Sequence, residues 1–148
     1  MNKIGPDVLK ISTKQLRIII DKSKKSKSLI KDFILNQKYM SGIGNIYANE
    51  ILFASRIHPE TKVNALSRNN WNDFFKNTKK IMQLAIKNNG TTLSDMTYFL
   101  PYGEFGSNQN FLKIYSKTNC FNCEHIIDKR YINQRATYFC RKCQKLKN

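Results

Sequence analysis

The sequence predicts a mainly α chain that ends in a small β module, and three observations carry that expectation. Apolar residues recur at helical spacing through roughly the first ninety positions. Past a stretch rich in glycine and aromatics, short β-branched and aromatic runs replace that period. All four cysteines fall in this second part.

Taken in order, Thr13 is a suitable N-cap for a short helix over 14–22, and the polar, basic run 23–28 reads as a loop. Ser28 can cap the next helix, 29–36, where Ile30, Phe33 and Ile34 fall at i, i+3 and i+4. In 37–44, Gly42 and Gly44 flank Ile43 and predict a compact turn. The helical period resumes at Asn45, with Ile46, Ala48, Ile51, Leu52 and Ser55 sharing or flanking one face. It should end near Arg56-Ile57-His58-Pro59, because the residue before a proline is pushed out of the helical region. The longest helix is expected after Ser67: Trp71, Phe74, Phe75, Thr78, Met82, Ala85 and Ile86 form a core-facing stripe, closed by Asn89-Gly90. A loop over 91–109 follows, then strands expected at 111–115, 126–127 and 136–139. The division that results is 1–110 helical, with 91–110 as its trailing loop segment, and 111–148 as the cysteine-bearing β module.

At 148 residues the chain is one ordinary domain, or two small ones sharing a core. No apolar run approaches about 18 residues, and the first residues carry no signal-like apolar segment, so a soluble, non-secreted protein in a reducing compartment is expected. Cytoplasm, nucleoid or nucleus would all satisfy that. Charge narrows the partners. Lys and Arg number 26 against 10 Asp and Glu, a formal +16. Such an excess repels itself, so it fits a polyanionic partner: nucleic acid first, an anionic membrane surface second. AT-rich coding would also swell the lysine count. Arg130, Arg135 and Arg141 are less open to that explanation.

The cysteines read Cys120-x2-Cys123-x16-Cys140-x2-Cys143. Two residues between cysteines let both thiolates of a knuckle reach one tetrahedral ion, and a second knuckle on a returning hairpin strand closes a four-sulfur site. A closed site is structural, since no position remains for water or substrate. One zinc ion is the favoured occupant. An iron–sulfur cluster stays open, disulfides fit poorly with a reducing compartment, and His125 reads as a bystander.

Residues 37–50 form the other informative stretch. The glycine pair lets a ligand approach the backbone where a helix begins with unpaired N–H groups, which suits a phosphate, and Asn45 adds a side-chain amide there.

These residues carry a resemblance. Ile43-Gly44-Asn45-Ile46-Tyr47-Ala48, with Glu50, Leu52-Phe53 and Ile57-His58-Pro59, resembles the helix–two-turns–helix of the formamidopyrimidine-DNA glycosylase and endonuclease VIII family. Asn89-Gly90-Thr91-Thr92-Leu93-Ser94-Asp95 resembles the link after that domain's long helix, and Gly5-Pro6-Asp7 the start of its C-terminal domain. Gln134-Arg135-Ala136-Thr137-Tyr138-Phe139-Cys140 with Cys143 is similar to the family's zinc finger, in the wording of the formamidopyrimidine branch. The resemblance runs colinearly over nearly the whole chain.

It implies base excision repair of oxidised bases: a glycosylase that removes the damaged base from duplex DNA and an AP lyase that cuts at the abasic site. Gly44 and Asn45 would meet the phosphate beside the lesion, Arg135 would bind phosphate and help hold the flipped nucleotide, and Lys31 would face the DNA backbone. Cys120, Cys123, Cys140 and Cys143 would hold zinc. Two departures stand out. The family's loop over the damaged base carries Pro-Asp-Gly, whereas this chain has Pro101-Tyr102-Gly103-Glu104-Phe105-Gly106. The family's nucleophile is an N-terminal proline amine followed by glutamate, on a separate β domain, whereas this sequence begins Met1-Asn2-Lys3. The expectation is therefore a DNA-binding part with no catalytic residue of its own: a fragment, one product of a split gene whose partner chain supplies the β domain, or a remnant. The competing reading is a non-catalytic ribosomal or RNA-binding zinc-ribbon protein.

Overall fold

A computed structural model describes residues 4–88 and 111–147. The expectations for Asn89-Gly90, for the link and loop over 91–110, and for the terminal Met1 amine and Asn2 lie outside these described residues. Among the described residues no helix is long and apolar enough to cross a membrane.

Helix α1, Thr13–Lys24, is capped by Ser12 rather than Thr13. The Ser12 hydroxyl accepts from Gln15 N–H at 3.1 Å and the Gln15 side chain accepts from Ser12 N–H at 2.9 Å, so two otherwise orphaned donors are satisfied reciprocally. Helix α2, Ile30–Leu35, begins after Leu29 without a side-chain cap. The expected cap, Ser28, bonds Ser26 instead, and the Ile30 N–H is taken by the Thr61 carbonyl at 2.7 Å. Helix α3, Asn45–Ala54, follows the turn, and α4, Arg68–Lys87, opens on a Ser67–Asn70 capping box.

Helix α3 stops for a reason the sequence reading assigned to Pro59. Arg56 adopts a left-handed φ of 57°, and the Ile57 N–H returns to the Leu52 carbonyl at 3.0 Å. That is a Schellman closure, built on an arginine where glycine is usual. The turn before α3 is fastened to the N-terminal segment: Gly5 N–H donates to Gln37, and Val8 N–H and Ser41 N–H pair with Ser41 and Pro6 carbonyls. Gly5 has to be glycine here, because a Cβ would lie 2.5 Å from the Tyr39 carbonyl carbon.

The main core joins Ile19 and Ile20 of α1, Ile30, Phe33 and Ile34 of α2, Ile51 and Leu52 of α3, and Trp71 and Phe74 of α4. The α4 stripe is core packing, as expected, although Ile86 is exposed. Helix α3 is buried on more than one side. Its Phe53 packs with Ile114, Cys120 and Cys140, and its Ile46 with Leu112 and Tyr115. The β module therefore rests directly on α3.

That module is one antiparallel hairpin, β1 Asp128–Ile132 and β2 Arg135–Phe139, in register from Ile132↔Arg135 to Asp128↔Phe139. Asn133 and Gln134 turn it with φ of 49° and 65°, the two-residue geometry that matches strand twist. The strand expected over 136–139 is thus present. Those expected at 111–115 and 126–127 are not. Ile126 forms only an isolated bridge with Asn119, and 111–115 is non-extended because its N–H groups go to a carboxylate rather than to a neighbouring strand. Glu50 accepts from Lys113, Ile114 and Tyr115 at 2.7, 3.0 and 2.8 Å.

Candidate nucleic-acid interface and metal centre

The two knuckles arrive from different directions and converge. Cys120 and Cys123 sit on the turn before β1, and Cys140 and Cys143 on the turn leaving β2. Gln144 fixes the second knuckle: its side chain accepts from Cys140 N–H at 2.9 Å and donates to the Ile57 carbonyl at 3.0 Å. All four sulfurs lie within 4.8 Å of one another. The Cys120–Cys143 separation is 3.8 Å and the Cys123–Cys140 separation 3.6 Å. A tetrahedron with bonds of about 2.3 Å to sulfur sets neighbouring sulfurs about 3.8 Å apart, so the four thiols fit one metal ion. Their protonation differs. Burial works against the Cys120 thiolate, but N–H groups of Cys123 and Asn122 bring that thiol down to about 7. Burial and the other cysteines push Cys143 up to about 12. Four thiolates this close need a cation between them.

Among the described residues no side chain caps the N-terminus of α3. Gly44, its N-cap, has φ −89° and ψ 174°, ordinary extended backbone, so it is not glycine for conformational reasons. A Cβ there would meet nothing within 4 Å among the described residues. The glycine keeps an approach to the helix end open, and the first-turn N–H groups with the helix dipole suit an anion on that approach.

Asn45 follows, half-buried, and its amide Nδ2 donates to the Ala136 carbonyl at 3.1 Å. Two further donors meet the same oxygen, Lys31 Nζ at 3.1 Å and Asn49 Nδ2 at 3.4 Å. Lys31 also donates to Thr137 Oγ1 at 2.5 Å, and Thr137 passes a hydrogen bond to the Arg135 carbonyl at 3.1 Å. Lys31 was expected to face DNA. Its side chain is instead buried, at 1% exposure, with its ammonium inside the joint between α2 and β2. Burial and then the nearby Arg135 charge lower its pKa to about 8.

Arg135 stands at the exposed tip of the hairpin, next to Ala136. The three arginines picked out by sequence separate clearly. Arg130 pairs with Glu60, and Arg141 makes a two-pronged bond with Asp128 at 2.8 and 2.7 Å. Among the described residues the Arg135 guanidinium makes no hydrogen bond or ion pair. The fold thus brings Gly44, Asn45 and Arg135 to one region and puts Lys31 behind them. Asn49, Glu50, Thr137 and Gln144 were given no role by sequence reasoning. Each is a buried polar side chain spanning helix and finger. The one signal available was the i, i+4 spacing of Asn45 and Asn49, which sets both amides on one face of α3.

Residues 4–97 match the formamidopyrimidine-DNA glycosylase H2TH domain. The formamidopyrimidine-DNA glycosylase of Mycoplasma genitalium is 43% identical over 99% of this chain and 51% of its own length. That of Listeria innocua is 43% identical over 82% of this chain and 45% of its own. Among solved structures, MutM (Fpg) of Thermus thermophilus superposes with a TM-score of 0.88 at 28% identity, covering 98% of this chain and 55% of that one. Lactococcus lactis Fpg in complex with DNA containing an abasic site gives 0.84 at 32% identity, covering 97% and 52%. The chain spans about half the length of these relatives. With the H2TH match over most of its helical part and relatives this similar across nearly all of it, the chain belongs to the formamidopyrimidine-DNA glycosylase family.

Proposed function

We propose that this chain is a duplex-DNA grip of a formamidopyrimidine-type glycosylase/AP lyase, serving base excision repair of oxidised bases and stabilised by one zinc ion. In this reading residues 1–110 form the helix–two-turns–helix unit and 111–148 the zinc finger. Cys120, Cys123, Cys140 and Cys143 hold the zinc. Its chemistry is that of a cross-link: it fixes the two knuckles, and with them the base of the hairpin that presents Arg135.

The observation that carries the reading is the Arg135 guanidinium, unpaired among the described residues, on a hairpin whose next residue, Ala136, is bonded to Asn45 at the open start of α3. A guanidinium and an uncapped helix N-terminus both suit phosphate, and contacts to phosphate position a duplex without reading its sequence. Two such grips on the backbone of a lesion-bearing strand would help offset the few kcal/mol that extruding a nucleotide costs. The solved relative bound to abasic-site DNA is consistent with that partner. The proline–glutamate pair within these 148 residues, Pro59-Glu60, is internal, so its proline nitrogen is an amide and not an attacking amine, and base excision would require a β domain, in cis or from a second chain.

The test is competition. The chain should prefer a duplex containing an abasic-site analogue over intact duplex and over structured RNA, and Arg135→Ala should weaken it. Preference for structured RNA would favour the ribosomal reading instead.

A further inference from the structure

The carbonyl of Ala136 receives three side-chain N–H donors, from Lys31, Asn45 and Asn49, yet a carbonyl oxygen offers two lone pairs. One donor is surplus. Exposure shows which one can leave: Lys31 and Asn49 are each 1% exposed, whereas Asn45 is half-buried at the open end of α3. The Asn45 side chain is also poorly satisfied where it lies, because its Oδ1 is buried with no hydrogen-bond partner among the described residues. Turning outward would hydrate that oxygen and free the amide.

We propose that Lys31 is a positioning residue: it holds the Ala136 carbonyl when the Asn45 amide leaves it for a DNA phosphate, and so fixes the spacing between Asn45 and Arg135. The proposal rests on the DNA-binding reading above. Lys31 grips β2 at two points, the Ala136 carbonyl and, through Thr137, the Arg135 carbonyl. Its ammonium touches no phosphate. The charged groups facing it are Arg135 from β2 and Asp32 on its own helix, while α3 offers the neutral amides Asn45 and Asn49. A phosphate brought up to Asn45 and Arg135 would stabilise the protonated amine. Affinity for DNA should therefore be full below about pH 8 and decline above it, in step with the lowered pKa of this lysine.

The experiment measures binding of the full chain to a duplex carrying a tetrahydrofuran abasic analogue, by anisotropy, across salt and pH. Lys31→Met should weaken binding about tenfold at pH 7, the scale of one lost charge-assisted hydrogen bond, and Lys31→Arg should recover most of it. The pH dependence above 8 should vanish in both variants. The salt slope of Lys31→Met should stay that of the wild type, whereas loss of a direct phosphate contact lowers it by about 0.9. In an Asn45→Ala background Lys31→Met should cost almost nothing more. A Lys31→Met chain that binds like wild type, or whose loss adds in full to that of Asn45→Ala, overturns the proposal. If the wild-type chain binds no duplex, the DNA reading fails and the hub is judged on the free protein by NMR. Unchanged Asn45 side-chain and Ala136 backbone resonances in Lys31→Met would then overturn it, and shifts confined to β2 and the start of α3 would uphold it.

Discussion

Glu50, in the middle of α3, accepts the backbone N–H of Tyr115 at 2.8 Å from across the joint between helices and finger. The same carboxylate takes the N–H groups of Lys113 and Ile114. Three consecutive donors curl around one side chain that is only 5% exposed, so 113–115 is shaped by Glu50 rather than by strand pairing. Burial raises the Glu50 pKa, and the three N–H bonds and Lys117 pull against that.

Glu50→Gln is therefore not a conservative change. The amide keeps one acceptor oxygen and points an NH2 at N–H donors, leaving buried groups unpaired. A loss of about 1–3 kcal/mol is expected, read as a lower denaturant midpoint at unchanged slope. A variant as stable as wild type would show that water replaces the carboxylate without cost.

The metal centre should bind one zinc per chain by elemental analysis. Stripping it with a strong chelator, or Cys140→Ser, should unfold the hairpin while α1 and α4 persist, because the hairpin contributes little apolar core of its own. A hairpin that keeps its dispersed resonances without metal would sink this. Iron in place of zinc, visible as colour in the purified protein, would correct the identity and leave the ligands standing.

Salt dependence separates the arginines. Arg135→Ala should lower the log–log slope of duplex affinity by about 0.9, the signature of one phosphate no longer neutralised. Asn45→Ala should weaken binding with little change of slope, since the amide is neutral. Arg130→Ala should leave the slope nearly intact because its partner is Glu60. Equal slope changes for Arg130 and Arg135 would mean that the ion pairs opened on binding.

Which parts of this were legible in sequence follows from physics. Helix α4 was legible because it has one buried stripe and one solvated face, and a 3.6 period survives only in that case. Helix α3 is covered by core on one side and finger on another, so Phe53 lay off the face that the period drew, and Ile46, placed on or beside that face, contacts the β module instead. The four cysteines were legible because metal geometry constrains local spacing. Lys31 was not, since nothing in its local sequence marks a lysine on a short helix as buried. What buries it is a pair of oxygens more than a hundred positions away. The difference between Arg135 and Arg130 or Arg141 likewise depends on where Glu60 and Asp128 come to lie.

These 148 residues are not expected to catalyse base excision by themselves. Lyase chemistry of this kind needs an unprotonated amine to attack C1′, with a carboxylate near it for proton transfer. An ordinary lysine is protonated at neutral pH, so a usable amine must have a lowered pKa. Lys31 is such a group, at about 8. Its position disqualifies it: the nitrogen is committed to Ala136 and Thr137 and is enclosed by the joint it holds together. Reaching a sugar carbon would mean withdrawing it from the backbone that carries Arg135, which would disrupt the grip on the same DNA. The carboxylates of α2 and α3 are no better placed. Glu50 is saturated by N–H donors, and Asp32 sits one residue from Lys31 on α2. The chain alone is expected to bind an abasic-site duplex without excising an oxidised purine at a catalytic rate, and to cut abasic sites only slowly through surface lysines. Adding a family β domain with its proline–glutamate pair should restore excision. Borohydride trapping on an oxidised-purine duplex decides the matter. Efficient capture mapped to Lys31 would mean that the joint opens on DNA and that its lysine is a nucleophile.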